Sequence, residues 1–488
     1  MKRLAIIGCV VLAACLIAAV CLVTWRRAAE RQFQTRLTPA GCGIVRTPPP
    51  DWIGHPVQAV PTYRPESTEG FQVDLRGCDV RRLDLRSRGA DLREADFDDK
   101  TRWPVHLPPE FDPRRIIESS KNPGLGLRAL HRQGITGRGV AVAIIDQGLL
   151  VGHEEYRDRL RLYEEIHCSD WGAEMHGPAV AAIAVGRTVG VAPGADLYYI
   201  AETHAKAGLA GLSRNFATSV DFAVTARSIN RLLEINRRLP KGRKIRVISI
   251  SVGWSPETAG YEEVMAAVRR ATGEGVFVIS SSLRTTHGLS FHGLGREPLG
   301  DPDRLSSYTD SSWDHFYSDE HPKVVSLFVP MDSRTTASPV RNGDYVYYRR
   351  GGWSWVIPYL AGLYALACQV KPSVTPEEFW LKAAETGDTI TVTGRRSPDP
   401  GGALAREVTR SVEKRIHDIK AGAHGRALEA LFAADYRTRE GEARARMSEA
   451  EFRQWLTHSG LVRRVGDGKR HRIGPTVNPA RLMESLRE

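Results

Sequence analysis

The stretch Gly352-Trp353-Ser354-Trp355-Val356-Ile357-Pro358-Tyr359-Leu360-Ala361-Gly362 decides how the rest of the 488-residue chain is read. A glycine turn leads into a serine, and the serine opens an apolar helix running to Ala367. The first N–H groups of a helix lack intrahelical partners and carry partial positive charge. A serine set there is either an N-cap or a nucleophile beside a ready-made anion site. Pro358 reads as a first-turn proline, where its missing N–H costs nothing.

Two segments upstream match that helix in character. Val140 to Asp146 (VAVAIID) is an unbroken apolar run ending in an acid. Such a run describes a parallel strand buried on both faces that delivers a carboxylate at its C-terminal end. Gly148 then permits a turn. HGPAVAAIAVG, from His176, opens an alanine-rich helix, and GVAPGADLYYI follows with a strand from Ala195 to Ile200. Taken singly, each residue has a plain reading: an acid ending a strand, a satisfied histidine, a capping serine.

Together the three segments resemble the subtilase family, whose catalytic residues run in the chain order Asp, His, Ser. HGPAVA is similar to the family's HGTHVA-like box, and GVAP follows it at the expected distance. GWSWVIPYLAG aligns without a gap to the family's GTSMASPHVAG. The separations, 30 and 178 residues, suit the family. The resemblance implies an α/β fold, subtilisin-like, with three layers and a central, mostly parallel sheet flanked by helices, over residues 125–488. It implies a serine endopeptidase acting through an acyl-enzyme. Ser354 would be the nucleophile, His176 its base and Asp146 the group that orients the imidazole. IRVISISVGW (Ile245 to Trp254) resembles the strand entering the substrate-binding segment. By that match Ser251, Val252 and Gly253 would pair with the substrate backbone by strand addition. The expected partner is a protein or peptide substrate. No cofactor is expected; calcium enters by family resemblance alone, with no assignable site.

The sequence also departs from the family. The asparagine that supplies a side-chain oxyanion donor is absent from GEGVFVISSSLRTTHG, and an ungapped count from Gly275 puts Arg284 at its position. Arg284 is the substitute donor, or Ser282 or Thr285 contributes, or the hole has backbone donors alone. Trp353 and Trp355 flank Ser354 where the family has smaller side chains. These departures motivate an alternative: a catalytically impaired pseudoprotease that binds peptides or regulates a partner.

The remainder of the chain is organised around this domain. Lys2 and Arg3 precede an uncharged apolar run from Leu4 to Val23, and Arg26 and Arg27 follow. About 20 apolar residues can span a bilayer as a helix, so residues 1–27 read as a membrane anchor or signal, with LAAC at Cys15 resembling a lipoprotein box. The anchor would be single-pass, and flanking charges leave its orientation open. Residues 28–68 read as a linker. From 69 to 104 a five-residue rhythm appears: VDLRG, CDVRR, LDLRS and, after a two-residue slip, ADLRE and ADFDD. It resembles a pentapeptide repeat, whose family forms a square right-handed β-helix. Leu75, Val80, Leu85, Leu92 and Phe97, and the residue two before each, would point inward. At the other end, residues 392–472 read as a basic helical insertion. Ser448 and Glu451 form a capping box within it, and Thr375 and Glu378 form one before it.

Composition narrows the functional classes. Hydrophobic content of 42% and charged content of 26% give a globular, core-forming chain rather than a disordered one. A net charge of +11 without a phosphate-cradling loop or nucleic-acid motif predicts no nucleic-acid partner. The cysteines show no zinc spacing, so no metal is predicted from them and no disulfide framework; a single Cys42–Cys78 bridge stays open.

Overall fold

A computed structural model of the chain describes residues 33–37, 55–65, 67, 70–169, 172–204, 220–311, 326–394, 463–464 and 470–487. The anchor region 1–27, most of the linker and nearly all of the basic insertion lie outside these residues. Among the described residues no helix is long and apolar enough to cross a membrane.

The main sheet has six strands in the order Phe33–Arg36, Leu160–Ser169, Asp196–Glu202, Ala141–Asp146, Ile245–Ile250 and Phe277–Ser280. Only the first is antiparallel to its neighbour. The run AVAIID forms the expected strand. Its residues point alternately into two cores, Val142 and Ile144 into one, Ala141, Ala143 and Ile145 into the other. The helices His176–Val185 and Trp353–Val370 fill the first core. Ala223–Arg238 and Tyr261–Gly273 fill the second. The result is the three-layer α/β arrangement that the resemblance implies, and the strand apolar on both faces is covered on both.

A second sheet orders Tyr308–Asp310, Ser290–Arg296, Ser326–Pro330, Arg470–Thr476 and Asp388–Gly394. Its last two strands are antiparallel with Gly394 opposite Arg470. The chain therefore leaves for the insertion and returns from it at one stem. The closing helix Pro479–Ser485 starts behind Asn478, whose side chain caps Arg481 N. Thr375 likewise caps Glu378 N at 3.2 Å.

Residues 73–102 carry the five-residue rhythm into backbone geometry. Turn bonds recur from Cys78 N to Leu75 O, Leu83 N to Val80 O and Arg88 N to Leu85 O. Each turn is braced by the same ion pair, Arg76–Asp74, Arg81–Asp79 and Arg86–Asp84. Leu75, Val80, Leu85, Leu92 and Phe97 are all buried. The fourth repeat differs from the expectation. After the slip, Gly89–Arg93 is helical, and Ala90 is exposed rather than turned inward. A short helix advances the chain by a different pitch from a five-residue turn, so the inward position two before Leu92 is lost. Cys78 keeps a free thiol; Cys42 lies outside the described residues.

The segment does not stand alone. Ala95–Asp98 pairs with Tyr345–Tyr348, and Val73–Asp74 pairs with Ala95–Asp98, so the hairpin Arg334–Ala337/Tyr345–Tyr348 is extended to four strands by the repeats. Phe97 sits at the join, with its ring 5.0 Å from Tyr347 and 5.6 Å from Phe111.

Phe97→Ala is expected to cost about 3–5 kcal/mol in urea unfolding, as for other buried aromatic truncations. Val105→Ala, at a side chain 92% exposed, is the control, expected to stay within about 0.5 kcal/mol.

Candidate active site

The Asp146 carboxylate stands at the carboxyl end of its strand, opposite Ala201 in the next strand. Its Oδ1 accepts from Gln147 N at 2.8 Å and from His176 Nδ1 at 2.7 Å. An ionised carboxylate only accepts, so His176 carries its proton on Nδ1 and presents Nε2 as an acceptor when neutral. The helix His176–Val185 must approach closely for this. Gly177 allows it: a Cβ there would fall 2.6 Å from both Gln147 O and Tyr199 Oη. Tyr199 Oη in turn donates to Gln147 O at 2.6 Å and fixes the turn after Asp146.

Ser354 is the second residue of the helix Trp353–Val370. Gly352 precedes the helix with φ 72° and ψ 173°, a conformation nearly confined to glycine. The Ser354 N–H has no intrahelical partner at that position and is free to meet an anion. Pro358 lies deeper than a first-turn reading allows. It is the sixth helical residue, where it withholds the N–H that Ser354 O would accept. Ser251 Oγ fills the gap, donating to Ser354 O at 3.1 Å. Ser354 Oγ returns the contact, donating to Ser251 O at 3.3 Å. Serine loop and strand end are thus clasped by two reciprocal bonds. Among the described residues Ser354 Oγ has no bond to His176; catalytic hydrogen bonds are often long without substrate.

The link between the serine helix and His176 is Trp355. Its ring lies 5.5 Å from the imidazole and 5.5 Å from Tyr348. Its indole Nε1 is buried without a partner. The sequence flagged this tryptophan as a departure but gave no sign of these ring contacts. Tyr348 was not legible at all, because it comes from another sheet.

The segment Ser251–Gly253 runs beside the clasp. Val252 O is taken by Ser281 N. Gly253 N–H and C=O have no hydrogen bond among the described residues, which leaves an edge open to an added strand. Behind it, Ser282 Oγ accepts from Trp254 N and donates to Trp254 O, both at 2.7 Å. Its one proton is committed, so Ser282 is not an oxyanion donor. Arg284 is the second residue of the short helix Leu283–His287 and is exposed, as is Thr285.

Electrostatics favour a charged His176. Burial pulls its imidazole down, but the Asp146 charge, the hydrogen bond and Glu174 outweigh this and raise it above the ordinary value. A second acid–imidazole pair, unremarked in the sequence, lies at the end of the adjacent strand. Glu202 Oε1 is 3.7 Å from His204 Nδ1. Burial pushes the Glu202 carboxyl up to about 8, with the Asp146 charge adding to the shift. Among the described residues no three His, Cys, Asp or Glu side chains are placed to hold a metal.

Residues 137–304 match the model of the Subtilase family, peptidase S8. The match holds Asp146, His176, the strand end at Ser251 and the oxyanion region, and stops before Ser354.

His176 should titrate above ~6.5 in an NMR experiment. A raised folded pKa stabilises the protein fully below the unfolded value, and that contribution fades as pH rises through the folded one. Asp146→Asn removes the opposing charge but not the burial, so the midpoint should fall below ~6.5; an unmoved midpoint would refute the pairing.

Proposed function

We propose that this chain, whose residues 137–304 match the Subtilase family, is a serine endopeptidase using Ser354, His176 and Asp146 through an acyl-enzyme. The observation that supports this most is the 2.7 Å His176–Asp146 bond, with Trp355, the neighbour of Ser354, tilted against the same imidazole. His176 Nε2 takes the Ser354 Oγ proton as the oxygen attacks the scissile carbonyl, and Asp146 stabilises the imidazolium. The C–N bond breaks when His176 returns that proton to the leaving amine. Water, deprotonated by the same nitrogen, then releases the acid and regenerates Ser354.

Substrate binding prepares the nucleophile. A strand added along Ser251, Val252 and Gly253 brings its own N–H to the Ser251 carbonyl. That N–H displaces Ser354 Oγ, which now holds the carbonyl at 3.3 Å, and turns the hydroxyl toward His176. The developing oxyanion meets the Ser354 N–H at the helix start, with Arg284 as the side-chain donor. The apolar run Leu4–Val23 supports tethering of this domain to a membrane.

The second reading is a pseudoprotease that binds peptides without turnover. It is favoured by the resting contact of Ser354 Oγ with Ser251 O and by Arg284 in place of an asparagine.

A fluorophosphonate probe should label the full chain, and Ser354→Ala should abolish labelling. A folded wild type that is never labelled sinks the endopeptidase; peptide binding unchanged in Ser354→Ala would then support the pseudoprotease. If Arg284 serves the oxyanion, Arg284→Ala should lower kcat about 100- to 1000-fold with KM held. An unchanged kcat would leave the hole to backbone donors alone.

A further inference from the structure

The loop carrying Ser354 is held both from within the matched segment, where Arg349 Nη1 donates to Arg296 O at 3.0 Å, and from outside it. It runs from Tyr348, the last residue of the hairpin, through Arg349, Arg350 and Gly351 to Gly352. Asp96, in the repeat strand Ala95–Asp98, is 3% exposed and accepts the Arg349 backbone N–H on Oδ1 at 2.8 Å. Glu94 ion-pairs with Arg349 at 3.2 Å and with Arg350 at 3.4 Å. Arg349 Nε also donates to Arg93 O at 3.0 Å. On the inner side, Gly351 N donates to Asp332 Oδ1 at 2.9 Å.

The same segment reaches the site through rings. Arg76, fixed by Asp74, lies over Tyr348 at 5.6 Å. Tyr348 meets Trp355 edge to face at 5.5 Å, and Trp355 lies 5.5 Å from His176. Backbone anchor and aromatic contacts therefore converge on Ser354 and on the imidazole beside it. A structural cap would need only the apolar join at Phe97. It would not need a buried carboxylate aimed at a loop amide, because an uncompensated buried carboxylate is costly.

We propose that Asp96 and Glu94 of the N-terminal repeats are positioning residues for the nucleophile, setting Ser354 and Trp355 against His176 by holding Arg349–Gly352. The inference rests on the reading of Ser354 as the nucleophile. Asp96 acts by its acceptor oxygen on Arg349 N, and Glu94 by its two ion pairs. Neither touches substrate.

The test uses the full chain with Asp96→Ala, Asp96→Asn and Glu94→Gln, read by peptide kcat and KM, fluorophosphonate labelling and hydrogen exchange at residues 349–354. Losing a buried acceptor should lower kcat in Asp96→Ala by about tenfold with KM little changed. Asp96→Asn keeps an acceptor and should recover most of that loss. Loop amides in Asp96→Ala should exchange about tenfold faster while the main sheet stays protected. A wild-type kcat and wild-type loop exchange in folded Asp96→Ala overturns the proposal; so does an Asp96→Asn that falls as far as alanine. If Asp96→Ala does not fold, Glu94→Gln decides. A selective rise in loop exchange supports positioning, and unchanged or uniform exchange refutes it. If wild type neither labels nor cleaves, the endopeptidase reading fails, and the exchange comparison still judges the loop anchor.

Discussion

The 2.7 Å contact between Asp146 Oδ1 and His176 Nδ1 is where the rest of the molecule converges. A strand and a helix separated by 30 residues must end within a hydrogen bond of each other. The strand can end there because Ala141–Ile145 is buried on both faces and so lies in the middle of a three-layer stack. The helix can start there because Gly177 offers no Cβ to the turn beneath it. With Nδ1 committed, Nε2 is the only imidazole nitrogen left to face a reacting group. Geometry thus fixes the tautomer before any substrate arrives.

The serine side of the site is built by compensation. Pro358 removes a helical hydrogen bond, and the carbonyl it orphans becomes the point where Ser251 clasps the serine loop. A helix defect is thereby used to tie two chain segments that share no sheet register. The reciprocal Ser354 Oγ bond leaves the hydroxyl parked on a carbonyl that lies along the open substrate edge. Trp353 and Trp355, which look obstructive in the sequence, are partly absorbed by packing: Trp353 meets Phe291 edge to face at 5.7 Å, and Trp355 sits between Tyr348 and His176.

The N-terminal repeats are joined to this machinery as sheet, not as a tethered bead. Their backbone ladder extends the hairpin that precedes the serine loop, and their charges pair with the two arginines next to it. One turn of a repeat buries little apolar surface by itself and needs a neighbour to lean on. Here the neighbour is the hairpin Arg334–Ala337/Tyr345–Tyr348, so the stability of the two pieces is shared.

The sequence by itself determined the strands and helices that carry Asp146, His176 and Ser354, because burial on two faces leaves unbroken apolar runs that periodicity reads directly. It made the five-residue rhythm at Val73, Cys78 and Leu83 legible too, and each of those turns carries an Asp-x-Arg ion pair. It did not reveal the helical fourth repeat, where a two-residue slip exchanges one local geometry for another of similar composition. Nor did it reveal the Ser251–Ser354 clasp, the commitment of Ser282 to Trp254, or the line from Asp96 to His176. The hydrogen bonds among them join residues from 28 to 253 positions apart. Local pattern records what each segment must bury. Which polar groups then meet is decided only when the segments pack, because each such group takes whichever partner the tertiary structure brings within hydrogen-bond distance.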